Sequence, residues 1–172
     1  MRKLQIHPTA IIYPNVVICD GVYVGAYSVI GAPAEYRGKE LTAQGSVVIG
    51  ANTVIREHVT IHSSPNETGT TLIGEDCYIM SHSHIGHDAI INNHCTLSSG
   101  SIVGGHAILK DYVNMGLNST LHQRSTMETG SMLGANGFGK GIIKPWCVMV
   151  GTPARFLKMN NHLRAKLNLP LL

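Results

Sequence analysis

Hydrophobic residues recur along this chain at every sixth position. Counted from Ile6, the same place is held by Ile12, Ile18, Val24 and Ile30, and the register resumes at Ile49, Ile55 and Ile61. It then runs from Ile73 through Ile79, Ile85, Ile91, Leu97, Val103, Leu109, Met115, Leu121 and Met127 to Leu133. All nineteen positions are Ile, Leu, Val or Met. The fifth place of each hexad is small: Ala10, Val16, Val22, Ser28 and Ala34, then Thr53 and Val59, then Cys77, Ser83, Ala89, Cys95, Ser101, Ala107, Val113, Ser119, Ser125 and Ser131. Places five and one are two residues apart, so on a strand they share a face; places two and six point the other way. Places three and four are left for corners. Asn15, Gly21, Asn52, Asn93, Gly100, Asn118 and Gly130 suit the backbone angles a tight corner needs.

A period of six predicts a solenoid of short strands with three flat sides, 18 residues to a coil, neighbouring coils paired as parallel strands. Two segments interrupt it. Residues 36–48 shift the phase by one residue, whereas the turn-rich residues 63–72 preserve it. Both read as loops extruded from coils, where solenoids tend to carry binding functions. After Leu133 the repeat is expected to dissolve, and a short helix is expected over 156–168, ending before Pro170. The division is therefore a repeat domain over 1–154, with loops near 36–48 and 63–72, and a short helical tail over 155–172. Cys77 and Cys95 are 18 apart in the small inward place and read as stacked core thiols.

Composition fits this picture. Charged residues are 13% and aromatics 5% of the 172, with 19 glycines, so no large aromatic core organises the chain. Residues 1–153 carry nine Lys/Arg against ten Asp/Glu, and the net charge of +3 arises in the tail, from Arg155, Lys158, Arg164 and Lys166. Without a basic stripe interleaved with aromatics, nucleic-acid binding is not expected. No apolar run approaches a membrane span, and no signal peptide follows Met1-Arg2-Lys3. The four cysteines form no C-x-x-C pair and read as reduced thiols of a cytoplasmic protein.

Chemistry concentrates in histidine. Eight of the ten histidines lie between His58 and His122, and none occupies place one or five. Polar corner residues, or residues lining a subunit contact, are the simplest reading of any one of them. The run Ser81-His-Ser-His-Ile-Gly-His-Asp88 offers more: Asp88 follows His87 directly and can orient its imidazole. One coil of 18 residues places Gly105 above His87 and His106 above Asp88. A base then stands one strand spacing from a glycine N–H, which suits proton abstraction beside a developing oxyanion.

The hexads resemble those of the left-handed parallel β-helix acyltransferases of the hexapeptide-repeat class, and the left hand is implied by that resemblance alone. Ile55-Arg-Glu-His-Val-Thr-Ile-His62, Ser83-His-Ile-Gly-His-Asp88, Gly104-Gly-His106 and Leu121-His-Gln123 are similar, in order and spacing, to signatures of the UDP-N-acetylglucosamine O-acyltransferases of lipid A synthesis. The likeness covers roughly residues 6–138. It implies a left-handed β-helix of about seven coils, a homotrimer with sites between subunits, and an acyl group delivered as a thioester on cytoplasmic acyl carrier protein, with no bound cofactor or metal. It also implies His87 as general base polarised by Asp88, and Gly105 N–H as oxyanion donor. His62, His84, His106, His122, Gln123 and Tyr36 would hold the nucleotide sugar and the acyl chain.

Three departures accompany the resemblance. Ala34-Glu-Tyr-Arg-Gly-Lys39 keeps the Tyr and Gly of the family's acceptor loop but lacks its acid in the expected place. Most of the family's C-terminal helical domain has no counterpart. Gly151-Thr-Pro-Ala-Arg155 resembles the closing motif of coenzyme-A-dependent acetyltransferases, so an acetyl-CoA-dependent sugar-nucleotide acetyltransferase is the alternative. A γ-type carbonic anhydrase with zinc on His62, His82 and His87, and a solenoid without catalysis, are the readings from other classes.

Overall fold

The computed structural model describes residues 3–38 and 44–172. The extruded segment near 36–48 and Lys39 of the acceptor-like segment therefore lie partly outside the described residues, as do Met1 and Arg2. The chain winds as a three-sided parallel β-helix. One side is a nine-stranded sheet and the other two have seven strands each, so three strands make a coil and seven coils stack. Most strands are two residues long and pair 18 residues apart, as Tyr78 with Thr96 and His84 with Ile102.

The two inward places form the core. From Val24 to Leu133 the sixteen place-one side chains are all fully buried. Ile6, Ile12 and Ile18 line the first described coil and remain partly accessible. The small fifth place has a hydrogen-bonding reason as well as a steric one. Ser28 Oγ donates to Arg56 O at 2.7 Å, Thr53 Oγ1 to Gly74 O at 2.8 Å, and Ser83 Oγ to Ser98 O at 3.2 Å. Cys77 and Cys95 thiols reach Asn92 O and Lys110 O, each at 3.1 Å. Each acceptor is a place-two carbonyl at a corner, where the strand ladder offers it no partner.

Corners are sharper than a Gly and Asn preference indicates. From Asn52 onward the place-four residue turns into the left-handed region at every corner apart from the one extruded as the loop after His62. The residues concerned are Asn52, His58, Asp76, His82, Asp88, His94, Gly100, His106, Tyr112, Asn118, Arg124, Gly130 and Asn136. Asn, Asp and His tolerate that conformation better than most L-residues, which accounts for four of the histidines.

Both interruptions leave the helix at the same corner, between the second sheet (Ile11–Ile12, Val29–Ala32, Thr60–His62, His84–Ile85, Ile102–Val103, Thr120–Leu121, Phe138–Gly139) and the third. Across the first, Val16 pairs with Val47, thirteen residues further along than a regular coil; across the second, Ser46 pairs with Thr70, six further.

The C-terminal end departs from expectation. The repeat does not dissolve after Leu133: Phe138–Gly139 pairs with Thr120–Leu121 in register, and Ile142–Ile143 and Cys147–Val150 follow on the other two sides. Gly139 stands at place one, its missing side chain replaced by Leu121, Leu133 and Ile143, whose methyls lie 3.0–3.3 Å from where a Cβ would be. The helix is also shorter than 156–168. It spans Asn161–Lys166, because Arg155–Met159 is a strand antiparallel to Cys147–Val150. Among the described residues no helix is long and apolar enough to cross a membrane.

Candidate active site

The residues expected to form a site gather at the corner between the second and third sheets, since each rung ends its second-sheet strand there and turns. His87 and Asp88 follow the strand His84–Ile85, Gly105 and His106 follow Ile102–Val103, and His122 and Gln123 follow Thr120–Leu121. His62 ends its strand one rung below His87, and Tyr36 lies in the loop that leaves the rung beneath that.

His87 is the centre of the group. Its Nδ1 is 2.8 Å from Asp88 Oδ2, and both side chains are about 15% exposed. A neutral imidazole that donates Nδ1–H to the carboxylate leaves the Nε2 lone pair free as a base. That nitrogen faces Gly105: a Cβ built there would lie 2.8 Å from it. Gly105 N–H makes no hydrogen bond among the described residues. His106 N–H donates to His87 O at 2.9 Å and its Nε2 lies 3.7 Å from Asp88 Oδ2, so the same carboxylate serves both rings. Tyr36 meets the His87 ring edge-on, centroids 5.9 Å apart, as His106 does at 5.0 Å. The register expected from 18-residue spacing thus brings His87, Asp88, Gly105 and His106 together, and the loop after Val29–Ala32 adds Tyr36.

A second group adjoins it. His62 and His84 cross edge to face at 5.0 Å, and His84 Nδ1 is 2.8 Å from Thr60 Oγ1. His62 is outward by its place in the hexad, yet it is only 8% exposed. Burial pushes both imidazoles below their ordinary value, while the Glu35 carboxylate opposes the shift in each. His106 is likewise held down by burial, against the pull of Asp88. Glu35, His62 and His84 bring one donor atom each within 4.8 Å of one another, as do His87, Asp88 and His106.

His122 and Gln123 stand apart. Gln123 is two rungs, about 9.6 Å, from His87. His122 turns to Gln123 O at 2.9 Å and to Phe138, ring centroids 6.0 Å apart. The zinc triad of His62, His82 and His87 is not assembled in the chain. His82 precedes the strand His84–Ile85 and stacks on His58 at 4.9 Å, at the corner opposite the one His87 turns.

Sequence reasoning missed two participants. Thr71 is fully buried; its hydroxyl donates to His62 O at 2.7 Å and accepts from Asp88 N–H at 2.8 Å, tying both groups together. In the sequence it is one more small inward residue at place five. Glu35 precedes Tyr36 in a loop whose approach to His62 depends on the first insertion.

Comparison with known proteins follows the same lines. Residues 3–32 and 70–105 match the bacterial transferase hexapeptide repeat. An acyl-[acyl-carrier-protein]–UDP-N-acetylglucosamine O-acyltransferase from Campylobacter lari is 32% identical over 91% of this chain and 73% of its own length. The corresponding protein of Campylobacter jejuni subsp. doylei is 39% identical over 80% of this chain, and the chain spans only 52% of that relative. In structure, a UDP-N-acetylglucosamine acyltransferase from Bacteroides fragilis superposes with a TM-score of 0.90 at 26% identity, over 96% of this chain and 65% of the other. The solenoid is that of the left-handed parallel β-helices.

Proposed function

Since the chain belongs to the family of acyl-[acyl-carrier-protein]–UDP-N-acetylglucosamine O-acyltransferases, we propose that it moves an acyl group from a carrier-protein thioester to a hydroxyl of UDP-N-acetylglucosamine, with His87 as the base. The observation that carries the residue assignment is the His87 ring, bonded to Asp88 through Nδ1 and facing Gly105 through Nε2. In this reading the sugar hydroxyl attacks the thioester carbonyl carbon while Nε2 takes its proton. The carbonyl oxygen becomes the oxyanion and accepts Gly105 N–H; the C–S bond then breaks, and the proton on His87 passes to the departing thiolate. Asp88 holds the tautomer and stabilises the imidazolium between the two transfers.

His62, His84, His106 and Tyr36 line the acceptor side of this centre, with His122 and Gln123 further along the same corner, where an acyl chain would run. The functional unit in this reading is a homotrimer with sites between subunits, acting in the cytoplasm with acyl carrier protein. Four free cysteines, three of them buried, accord with a reducing compartment.

The test is free-thiol release by the purified protein with UDP-N-acetylglucosamine, comparing 3-hydroxyacyl carrier protein with acetyl-CoA and running His87→Ala in parallel. Acceptor-dependent release from the carrier-protein donor, lost in the variant, is expected. Preference for acetyl-CoA would replace the donor, and release that survives His87→Ala would remove His87 as base.

A further inference from the structure

Charge is polarised along the solenoid. Residues 1–128 carry seven Lys/Arg against ten Asp/Glu, whereas residues 129–172 carry six Lys/Arg and no acid. Four of the six, Lys140, Lys144, Arg155 and Lys158, are exposed on the last coil and on the strand Arg155–Met159, whose antiparallel return ends the solenoid within the chain. The topology spreads them around the end of the three-sided prism. Lys140 stands at the corner between the second and third sheets, and Lys144 at the corner between the third and the first. Arg155 pairs with Val150 where the first sheet turns toward the second, and Lys158 pairs with Val148 along the same side. Among the described residues none of the four has an ion-pair partner.

Between these cations the surface is apolar. Ile142, Phe156 and Leu157 are 74%, 57% and 56% exposed. Ile142 and Phe156 flank a recess of about 380 Å³ that reaches inward to Ile143, Cys147 and Met149. We propose that this end of the solenoid docks on an anionic lipid bilayer, with the solenoid axis standing on the membrane. Cations on every side of an apolar centre match a partner that is negative in all directions and hydrocarbon beneath. An anionic headgroup layer supplies both: each Lys or Arg gains from the surface potential while Ile142, Phe156 and Leu157 enter the acyl boundary.

The first described coil shows that exposed apolar side chains alone do not make such a face. It exposes Leu4, Ile11 and Val17, yet residues 3–20 carry one charge of each sign, Lys3 and Asp20. None of the docking residues belongs to the His87 centre, and the inference stands whether or not the acyl-transfer reading does.

The experiment is co-sedimentation of the full chain with vesicles of phosphatidylcholine, alone or with about 30 mol% phosphatidylserine. Binding is expected to the anionic vesicles and not to the neutral ones, and it should be lost at about 0.5 M salt, where screening acts within a few ångströms. The double variant Lys140→Glu, Lys144→Glu should weaken it by roughly thirtyfold or more, and Phe156→Ser, Leu157→Ser by roughly tenfold. Thermal melts establish that each variant is folded. Lys140 and Lys144 are exposed, so the charge variant remains informative even where the apolar one fails to fold. No binding to anionic vesicles, equal binding to both kinds, or binding undiminished in the charge variant would overturn the proposal. Capture of acyl carrier protein without vesicle binding, lost in the same charge variant, would overturn it in favour of an acidic protein partner.

Discussion

Gly105→Ala is the most discriminating perturbation of the proposed centre, because its steric demand falls almost wholly on one side chain. The new Cβ would lie 2.8 Å from His87 Nε2, 3.1 Å from Cε1 and 3.2 Å from Cδ2. Ordinary contact requires about 3.5 Å, so the ring must retreat by about 0.7 Å. It has little freedom to do so, being held by Asp88 at Nδ1 and bordered by His106 and Tyr36. The methyl would also occupy the space at Nε2 that a sugar hydroxyl needs. Misplacing a base by this distance, or denying it its proton donor, costs about 10²- to 10⁴-fold in rate. Gly105 is not among the residues with positive φ, so alanine brings no backbone strain there, and Tm should stay within a few degrees. Gly86→Ala is the internal control: its Cβ would lie 2.7 Å from Gly105 N and 3.1 Å from Gly104 C and Val103 O, all backbone of the next rung. That variant should lose stability, by about 1–3 kcal/mol. Initial rates of acyl transfer and far-ultraviolet melts on both variants check the pair. A Gly105→Ala protein with parental kcat would refute the claim that proton transfer occurs at Nε2.

The other expectations are more local. Thr71→Val removes the hydroxyl shared by His62 O and Asp88 N–H; with both backbone groups left unpartnered, urea unfolding should show a loss of about 2–4 kcal/mol. Leu97→Ala empties a fully buried place-one position and should cost about 2–5 kcal/mol by the same assay. His82 sits at φ 60°, so His82→Gly should be tolerated, whereas His82→Val should lower stability by about 1–2 kcal/mol in thermal melts. His62, His84 and His106 all have folded-state values below the ordinary histidine value of about 6.5, so between the lowered values and 6.5 the unfolded chain binds more protons. Stability intact above about pH 6.5 should therefore fall as pH drops from there through the lowered values, and a flat urea midpoint over that window would contradict the burial of these rings.

The hexad alone made the core legible: places one and five are the buried positions. It also made the central juxtaposition legible, because an 18-residue coil puts Gly105 on His87 by counting. What it hid has physical causes. Gly139 occupies place one with no side chain, so the last coil drops out of a pattern built on branched hydrophobes, although neighbouring methyls fill its space. Arg155–Met159 becomes a strand only because the open edge of Cys147–Val150 is there to pair with it. The acid at Glu35 was visible, but its approach to His62 and His84 depends on how a thirteen-residue insertion leaves the coil. Thr71 illustrates the opposite difficulty: it obeys the inward pattern, and nothing local distinguishes it from the serines that only cap a corner carbonyl.

The placement of those irregularities explains why one edge of a three-sided solenoid can become a site while the other two remain scaffolding. Regular corners are constrained: from Asn52 onward the place-four residue is bent into the left-handed region, and side chains along such an edge stack on one another, as Tyr27, His58 and His82 do. The second-to-third-sheet corner escapes this repetition three times. Thirteen extra residues leave it after Val29–Ala32, six after Thr60–His62, and the final coil is short by two after Phe138–Gly139, where Thr126 pairs with Ile142. The two insertions bring Glu35, Tyr36 and Thr71 against the stretch where His62, His84, His87 and Asp88 turn, and they bury polar groups that a bare corner would leave in water. An imidazole held at 2.8 Å by a largely enclosed carboxylate is the consequence. The rungs above, from Gly105 to Gln123, keep the 18-residue register and supply a straight track beside it. Regular coils set the spacing between the groups proposed to react, and the extruded loops on the same edge create the desolvated wall that the proposed chemistry requires.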